Sequence, residues 1–230
     1  MDVVYVNRDG ENPELRYSLR SLRQNVDHNE VWVFGGAPTW LDLNEVNYRH
    51  RNQGSNVYLA AREHLRAACN SPEVSDPFML WNDDFFAMRP VGEVPVYHRG
   101  PFQDLLVEFA PSKIPWAKGM RETAEVMEKQ GLLQCAMSYD THLPLIIHKA
   151  EMLEAFRTAR QVRANAIHLR TLYGAVANLG GEFHPDPKML RRSVPFPPGA
   201  WLSSSPETFR SSVEPVLRYL FPDKCPYERE

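Results

Sequence analysis

Asn82, Asp83 and Asp84 interrupt two apolar blocks in the stretch FMLWNDDFFAMRP. Two neighbouring carboxylates repel each other, and beside a core they call for a cation to neutralise them. Hard oxygen ligands of this kind suit Mg²⁺ or Mn²⁺. A metal held there can bridge to diphosphate oxygens and stabilise charge on a departing nucleoside diphosphate. The plainer reading is a strand-end turn in which one Asp caps the next few residues.

Other residues are weaker candidates. His142 and His184 could each supply a nitrogen ligand or an acid/base group, or simply hydrogen-bond a loop. In YDTHLP, Asp140 and His142 are two apart, so an extended chain points both to one side. One could orient or activate an acceptor hydroxyl while the other meets the metal or a phosphate. Asp9, in NRDG, could accept bonds from a ribose or base, or belong to an ordinary Asp-Gly turn. Asn56 and Arg62 lie on the helix before the acidic turn, within possible reach of a nucleotide. Arg16, Arg20 and Arg23 recur at helical spacing, as a phosphate-binding stripe or a solvated face. Ser203 to Ser205 precede a helix whose amides can hold phosphate, with simple capping as the plainer role. There is no Walker-type loop, no G-x-G-x-x-G and no G-x-S-x-G elbow.

These residues need a scaffold. Val3, Val4, Tyr5 and Val6 read as a first strand, and VWVF at 31–34 as a second, closed by Gly35 and Gly36. Asn12 is a good N-cap with Pro13 at the first helical position, and Leu15, Leu19 and Leu22 form one apolar helical face. A further helix runs from Ser55 or Asn56 to about Cys69, and DPFMLW is the next buried strand. Residues 150–178 read as helix with a break near Asn165, ending at Gly180 and Gly181. The C-terminal helix is capped by Ser204 or Ser205, with Pro206 at its first position and a kink near Pro215. Strands alternating with helices predict an α/β fold with a largely parallel sheet. In such sheets ligands sit beyond the carboxyl ends of the strands, which is where both NRDG and NDD fall.

The chain has 230 residues, 43% of them hydrophobic, enough for one sizeable core. A net charge of −3 excludes a broad nucleic-acid footprint but leaves room for a local basic groove. Arg157, Arg160, Arg163 and Arg170 are the residues that could form one. Cys69, Cys135 and Cys225 are odd in number and have no metal-site spacing, so free thiols in a reducing cytoplasm are expected. The opening MDVVYVNRDG has no long apolar stretch, so no signal peptide is expected, and no run approaches a membrane span.

Several segments together resemble the Stealth family of sugar-phosphate transferases and its short glycosyltransferase-like relatives in bacteria and phages. DVVYVNRDGENPELRYSLRSL is similar to that family's opening strand, loop and helix, and VWVFGGAPTWL to its second strand. SNVYLAAREHL sits where its conserved-region helix falls, and FMLWNDDFFAMRPV resembles its acidic strand end. THLPLIIHKAEM resembles its His-Thr-Pro segment, with Leu143 in place of the threonine. The pairing of ELRYSLRSL with NDDFF is the specific part, and the likeness covers roughly residues 1–150.

The resemblance implies a glycosyltransferase A type fold, a mostly parallel sheet flanked by helices with a helical C-terminal part. One domain over residues 1–230 is expected, with a nucleotide and metal half at 1–100 and an acceptor half at 101–230. Asp83 and Asp84 match the acidic motif, His142 the motif histidine, and Arg8, Asp9 and Gly10 the nucleotide-side loop. The expected ligands of Mn²⁺ or Mg²⁺ are Asp84, Asp83 and His184. The expected nucleotide contacts are Arg8, Asp9, Gly10, Asn56, Arg62 and Asn82, and the catalytic groups are His142, Asp140 and Asp83. The expected activity is metal-dependent transfer of a sugar from a nucleoside-diphosphate sugar, a UDP-sugar foremost, to a protein, polysaccharide or nucleic-acid acceptor. The alternatives are sugar-1-phosphate transfer, glycosylation of a DNA base, and a nucleotide-sugar-binding module without catalysis. The short chain and altered histidine segment favour plain glycosyl transfer, in the cytoplasm of a bacterium or a phage-infected host.

Overall fold

From its amino end the chain forms β1 (Asp2–Asn7), α1 (Pro13–Asn25), β2 (Val31–Gly35), β3 (Asn47–His50), α2 (Val57–Asn70) and β4 (Phe78–Trp81). Next come β5 (Phe85–Ala87), β6 (Tyr97–His98), α3 (Phe102–Glu108), α4 (Pro115–Lys129), β7 (Leu145–Ile147), α5 (Lys149–Ala159) and α6 (Leu169–Ala177). The last elements are β8 (Glu182–Phe183), β9 (Lys188–Met189), β10 (Trp201–Ser204), α7 (Pro206–Thr208), a π turn (Phe209–Val213) and α8 (Glu214–Leu220). This computed structural model describes residues 1–50, 57–160, 166–190, 196 and 199–229.

The central sheet has the order β3-β2-β1-β4-β7. Its β3-β2-β1-β4 pairings are parallel, and only the edge strand β7 runs antiparallel, against β4. The fold is therefore mixed α/β with a mainly parallel sheet flanked by helices. Successive residues of β1 serve opposite layers, as the period of a strand requires. Val4 joins one core with Phe34 and Leu80, while Val3 and Tyr5 join another with Leu15, Leu19 and Leu22. Those three leucines are fully buried, each contributing about 1.5–3 kcal/mol of burial.

Local signals set the ends of α1. Asn12 adopts a left-handed φ of 33° and its side chain accepts from Leu15 N, with Pro13 opening the helix. The C-terminal helix differs from the expectation of one kinked rod. Ser205 and Thr208 form a capping box on a three-residue α7, and a π turn intervenes before α8. Pro215 has no N–H to give to the preceding turn, which widens there.

A second sheet, β5-β10-β9, sets the site. The acidic turn runs straight into β5, which pairs antiparallel with β10 through Phe85 and Ser203. Beyond β10, Lys188 of β9 is in register with the same Ser203. The registers thus bring Ser203 and Lys188 beside the residue that precedes Phe85, which is Asp84.

Candidate active site

Because β1 and β4 are parallel, the loops after Asn7 and Trp81 leave the same edge of the sheet. The first loop is held down by Gly36, where a Cβ would lie 2.6 Å from Arg8 O and 2.7 Å from Asp9 Cα. Asn7 Nδ2 donates to Gly36 O at 2.8 Å. Asn12 then joins the two loops: its Nδ2 donates to Asn7 Oδ1 and to Asp83 Oδ2, both at 2.6 Å. One asparagine therefore caps α1 and fastens the acidic turn. Arg8 Nε lies 3.3 Å from Asp83 Oδ2, and Arg8 also pairs with Glu14.

Burial, and then the neighbouring Asp84 charge, push the Asp83 carboxyl above its ordinary range, against the pull of Arg8 and Asn12. Glu14 is raised to about 7, first by burial and then by Asp83. The edge thus holds more carboxylates than the adjacent cations fully neutralise.

Asp84 faces the other way. Lys188 Nζ donates to its Oδ2 at 3.1 Å and Ser203 Oγ donates to the same oxygen at 3.0 Å. The ammonium also donates to His142 Nε2 at 3.0 Å. An ammonium has no acceptor, so His142 Nε2 takes that bond and the ring carries its proton on Nδ1. That Nδ1 donates to Asp186, 2.9 and 3.0 Å from its two oxygens. Arg99 Nη1 stands 3.7 Å from Asp186. Burial would raise the Asp186 carboxyl, yet His142 and Arg99 hold it below the usual range.

Between Asp83, Asp140 and α2 lies a cavity of about 320 Å³, lined also by Tyr58, Arg62, Asn82 and Arg170. Arg170 donates to Thr141 O at 2.7 Å and to Leu143 O, and lies 5.6 Å from the Phe85 ring centre. Burial lowers its guanidinium to about 10, which leaves it charged at neutral pH. Its Nε is buried without a hydrogen-bond partner. Asp140 accepts from Trp116 Nε1 at 2.6 Å and lies 3.2 Å from His168 Nδ1. Burial opposes its ionisation, but His168, Trp116, His142 and Arg170 outweigh it and hold the carboxyl low.

The sheet edge thus gathers Arg8, Asn82, Asp83, Asp84 and, from the C-terminal half, Asp140 and His142, with Arg62 on the facing wall. Asp9 and Gly10 are exposed on the first loop, and Gly10 has a φ of 107° that favours glycine. Asn56 lies outside the described residues. His184 packs against Tyr97, with ring centres 4.8 Å apart and the planes tilted by 59°, and its Nδ1 bonds Pro185 O. The Arg16 and Arg20 side chains pair with Glu228 of the C-terminal tail. Arg157 pairs with Glu154 and Arg163 lies outside the described residues.

Lys188 and Asp186 are additions that the sequence did not flag, and Asn12 and Ser203 were legible only as caps or helix-start residues. PDPKML carries no motif that would link it to NDD, more than a hundred residues away.

The donor set does not fit a resident divalent metal. Among the described residues no three His, Cys, Asp or Glu side chains converge as a metal-holding group. The point between Asp84 and His142, which such an ion would draw upon, is taken by the Lys188 ammonium. Among the described residues no helix is long and apolar enough to cross a membrane.

No protein-family model and no curated protein matches this chain. Several solved glycosyltransferases overlap with it in three dimensions. The galactosyltransferase LgtC, in complex with donor and acceptor sugar analogs, is 11% identical with a TM-score of 0.41, over 76% of this chain and 70% of that one. The glycosyltransferase GlyE of Streptococcus pneumoniae is 8% identical with a TM-score of 0.37, over 96% of this chain and 50% of that one. Mouse xyloside xylosyltransferase 1 is also 8% identical at 0.37, over 99% and 96%. Overlaps this slight carry no argument about chemistry, which rests on the site itself.

Proposed function

We propose that this chain transfers a sugar from a nucleoside-diphosphate sugar to an acceptor hydroxyl. The observation that carries the reading is the 320 Å³ cavity at the carboxyl edge of parallel strands, with two arginines and an acidic turn on its walls. That volume is near the lower end of ligand pockets, which favours a pyrimidine over a purine nucleotide. Tyr58 and Leu65 offer surface to a base, Arg62 and Arg170 offer charge to a diphosphate, and Asn82 and Asp83 offer polar partners to ribose or sugar hydroxyls.

In the step itself the acceptor oxygen attacks the anomeric carbon. The bond from that carbon to the β-phosphate oxygen breaks, and its electron pair leaves with the nucleoside diphosphate. The acceptor proton passes to a carboxylate. Asp140 is the base of choice, since it lines the cavity and its neighbours keep it ionised. His142 is not free for that task, because both ring nitrogens are engaged. It acts instead by positioning Lys188.

Product analysis tests the reading. The chain is incubated with a panel of nucleoside-diphosphate sugars, UDP-sugars first, and with hydroxylated acceptors from protein, polysaccharide and nucleic acid. Release of a nucleoside diphosphate and a glycosylated product without phosphorus is expected. A phosphodiester product with release of a nucleoside monophosphate, seen by phosphorus NMR, would mean sugar-phosphate transfer. No turnover and no thermal shift with any nucleoside diphosphate at millimolar concentration would sink the reading, because a true ligand stabilises the fold by mass action.

A further inference from the structure

The cation that meets Asp84 belongs to the chain. Lys188 Nζ lies 3.1 Å from Asp84 Oδ2 and 3.0 Å from His142 Nε2. A divalent ion at the same point would need those donors at about 2.0–2.6 Å. The ammonium and a metal therefore exclude each other. We infer that Lys188 takes the place of a divalent ion at this edge: its ammonium holds the donor diphosphate, and binding and transfer proceed without metal. This rests on the chain being a sugar-nucleotide transferase.

Geometry supports the assignment. An ammonium has three N–H donors, and Asp84 and His142 account for two, leaving one for a phosphate oxygen. Lys188 is held at both ends of its reach, since Asp84 is itself fixed by Ser203 and the His142 ring is fixed by Asp186. Its side chain is 21% exposed and that of Asp84 13% exposed, so a ligand can reach the charge while water screens it little. Lys188 and Asp84 do not line the cavity themselves, but Asp83, next in the chain to Asp84, does, and so does Arg170, whose guanidinium feels the Asp84 charge.

In the transfer step the electron pair of the broken bond ends on the leaving β-phosphate oxygen. The ammonium meets that negative charge and keeps all its protons. Preorganised charge of this kind needs no reorganisation during the reaction. His142 is a positioning residue in this scheme, because its lone pair aims the ammonium and does not touch the reacting atoms.

The test uses the whole chain with two probes, uridine diphosphate and Mn²⁺ alone. Calorimetry measures nucleotide binding in EDTA and in Mn²⁺, and electron paramagnetic resonance measures manganese uptake. The wild type is expected to bind uridine diphosphate equally well in both solutions and to take up no manganese. Lys188→Ala is expected to weaken nucleotide binding about tenfold or more, the effect of losing one charge-assisted hydrogen bond. The same variant should gain manganese uptake, because its carboxylate and imidazole are released. Lys188→Arg keeps the charge and should bind better than Lys188→Ala. Nucleotide binding that appears only with manganese, or manganese uptake by the wild type, would overturn the inference. Should uridine diphosphate bind in neither solution, the sugar-nucleotide reading fails by itself. The ammonium assignment is then decided by manganese alone: uptake by Lys188→Ala but not by the wild type supports it, and any other pattern overturns it. Should Lys188→Ala not fold, the wild-type measurements decide.

Discussion

The two ends of the central sheet both hold carboxylates, and they treat them differently. At the amino end, Asp2 is 5% exposed and accepts from Trp32 Nε1 at 3.0 Å and Ser75 N at 2.8 Å. Its partners are neutral groups, and two of them, the Ser75 and Glu30 amides, are backbone. At the carboxyl end, Asp83 and Asp84 are met by Arg8 and Lys188, side chains that carry charge. A carboxylate closed by fixed neutral donors has nothing left to offer a ligand. One met by side-chain cations sits beside charge with a donor left over for a phosphate. The same residue type is structural at one end of the sheet and available for chemistry at the other.

Substitutions at each end should separate these roles. The largest effect is expected for Asp84→Asn, which releases Lys188 from its carboxylate. Turnover should fall by about a hundredfold or more, the scale of losing one preorganised electrostatic group, while the melting temperature stays close to wild type. Near-normal turnover in this variant would erase the distinction between the two ends.

The mirror substitution, Asp2→Ala, should do the reverse. It leaves the Trp32 N–H and the Ser75 amide without their acceptor, at a cost of about 1–3 kcal/mol of stability. Activity per folded molecule should be unchanged. A denaturant titration measures the first effect and a rate normalised to folded protein the second.

A smaller effect is expected from pH. Glu14 is raised from 4.5 to about 7 by burial and by Asp83, and it also faces Arg8, Asp84 and Lys188. Between those two values the folded chain keeps a proton that the unfolded chain has lost. Stability contributed by this group is therefore present at low pH and is lost as pH rises from 4.5 through about 7. Glu14→Gln should flatten that decline, and melting curves from pH 4 to about 8 across this window would show it. An unchanged decline would mean that the carboxyl end carries no such strain.

The smallest effect is expected for His184→Ala. The ring packs at a tilt against Tyr97 and bonds the neighbouring Pro185 carbonyl, so stability should change by no more than about 0.5 kcal/mol, as for an ordinary surface site. A large loss of turnover at constant stability would move His184 into the site and redraw its boundary.

Sequence patterns made α1, β1, β2 and β4 legible because their causes are local. Asn12 and Pro13 start a helix through bonds only three residues long, and an apolar run such as Phe78–Trp81 can only be a buried strand when polar turns bound it so closely. The acidic turn was also legible, since adjacent carboxylates between apolar blocks need an explanation wherever they occur. Residue types and order alone implied an α/β chain with a parallel sheet and its polar residues beyond the strand ends. Tertiary structure decided which cation meets which carboxylate. Lys188 and Ser203 stand 104 and 119 residues from Asp84, and they reach it only because β5 pairs with β10 and β10 with β9. Strand register fixes such contacts, and no local periodicity in the chain encodes which distant strand will supply the partner.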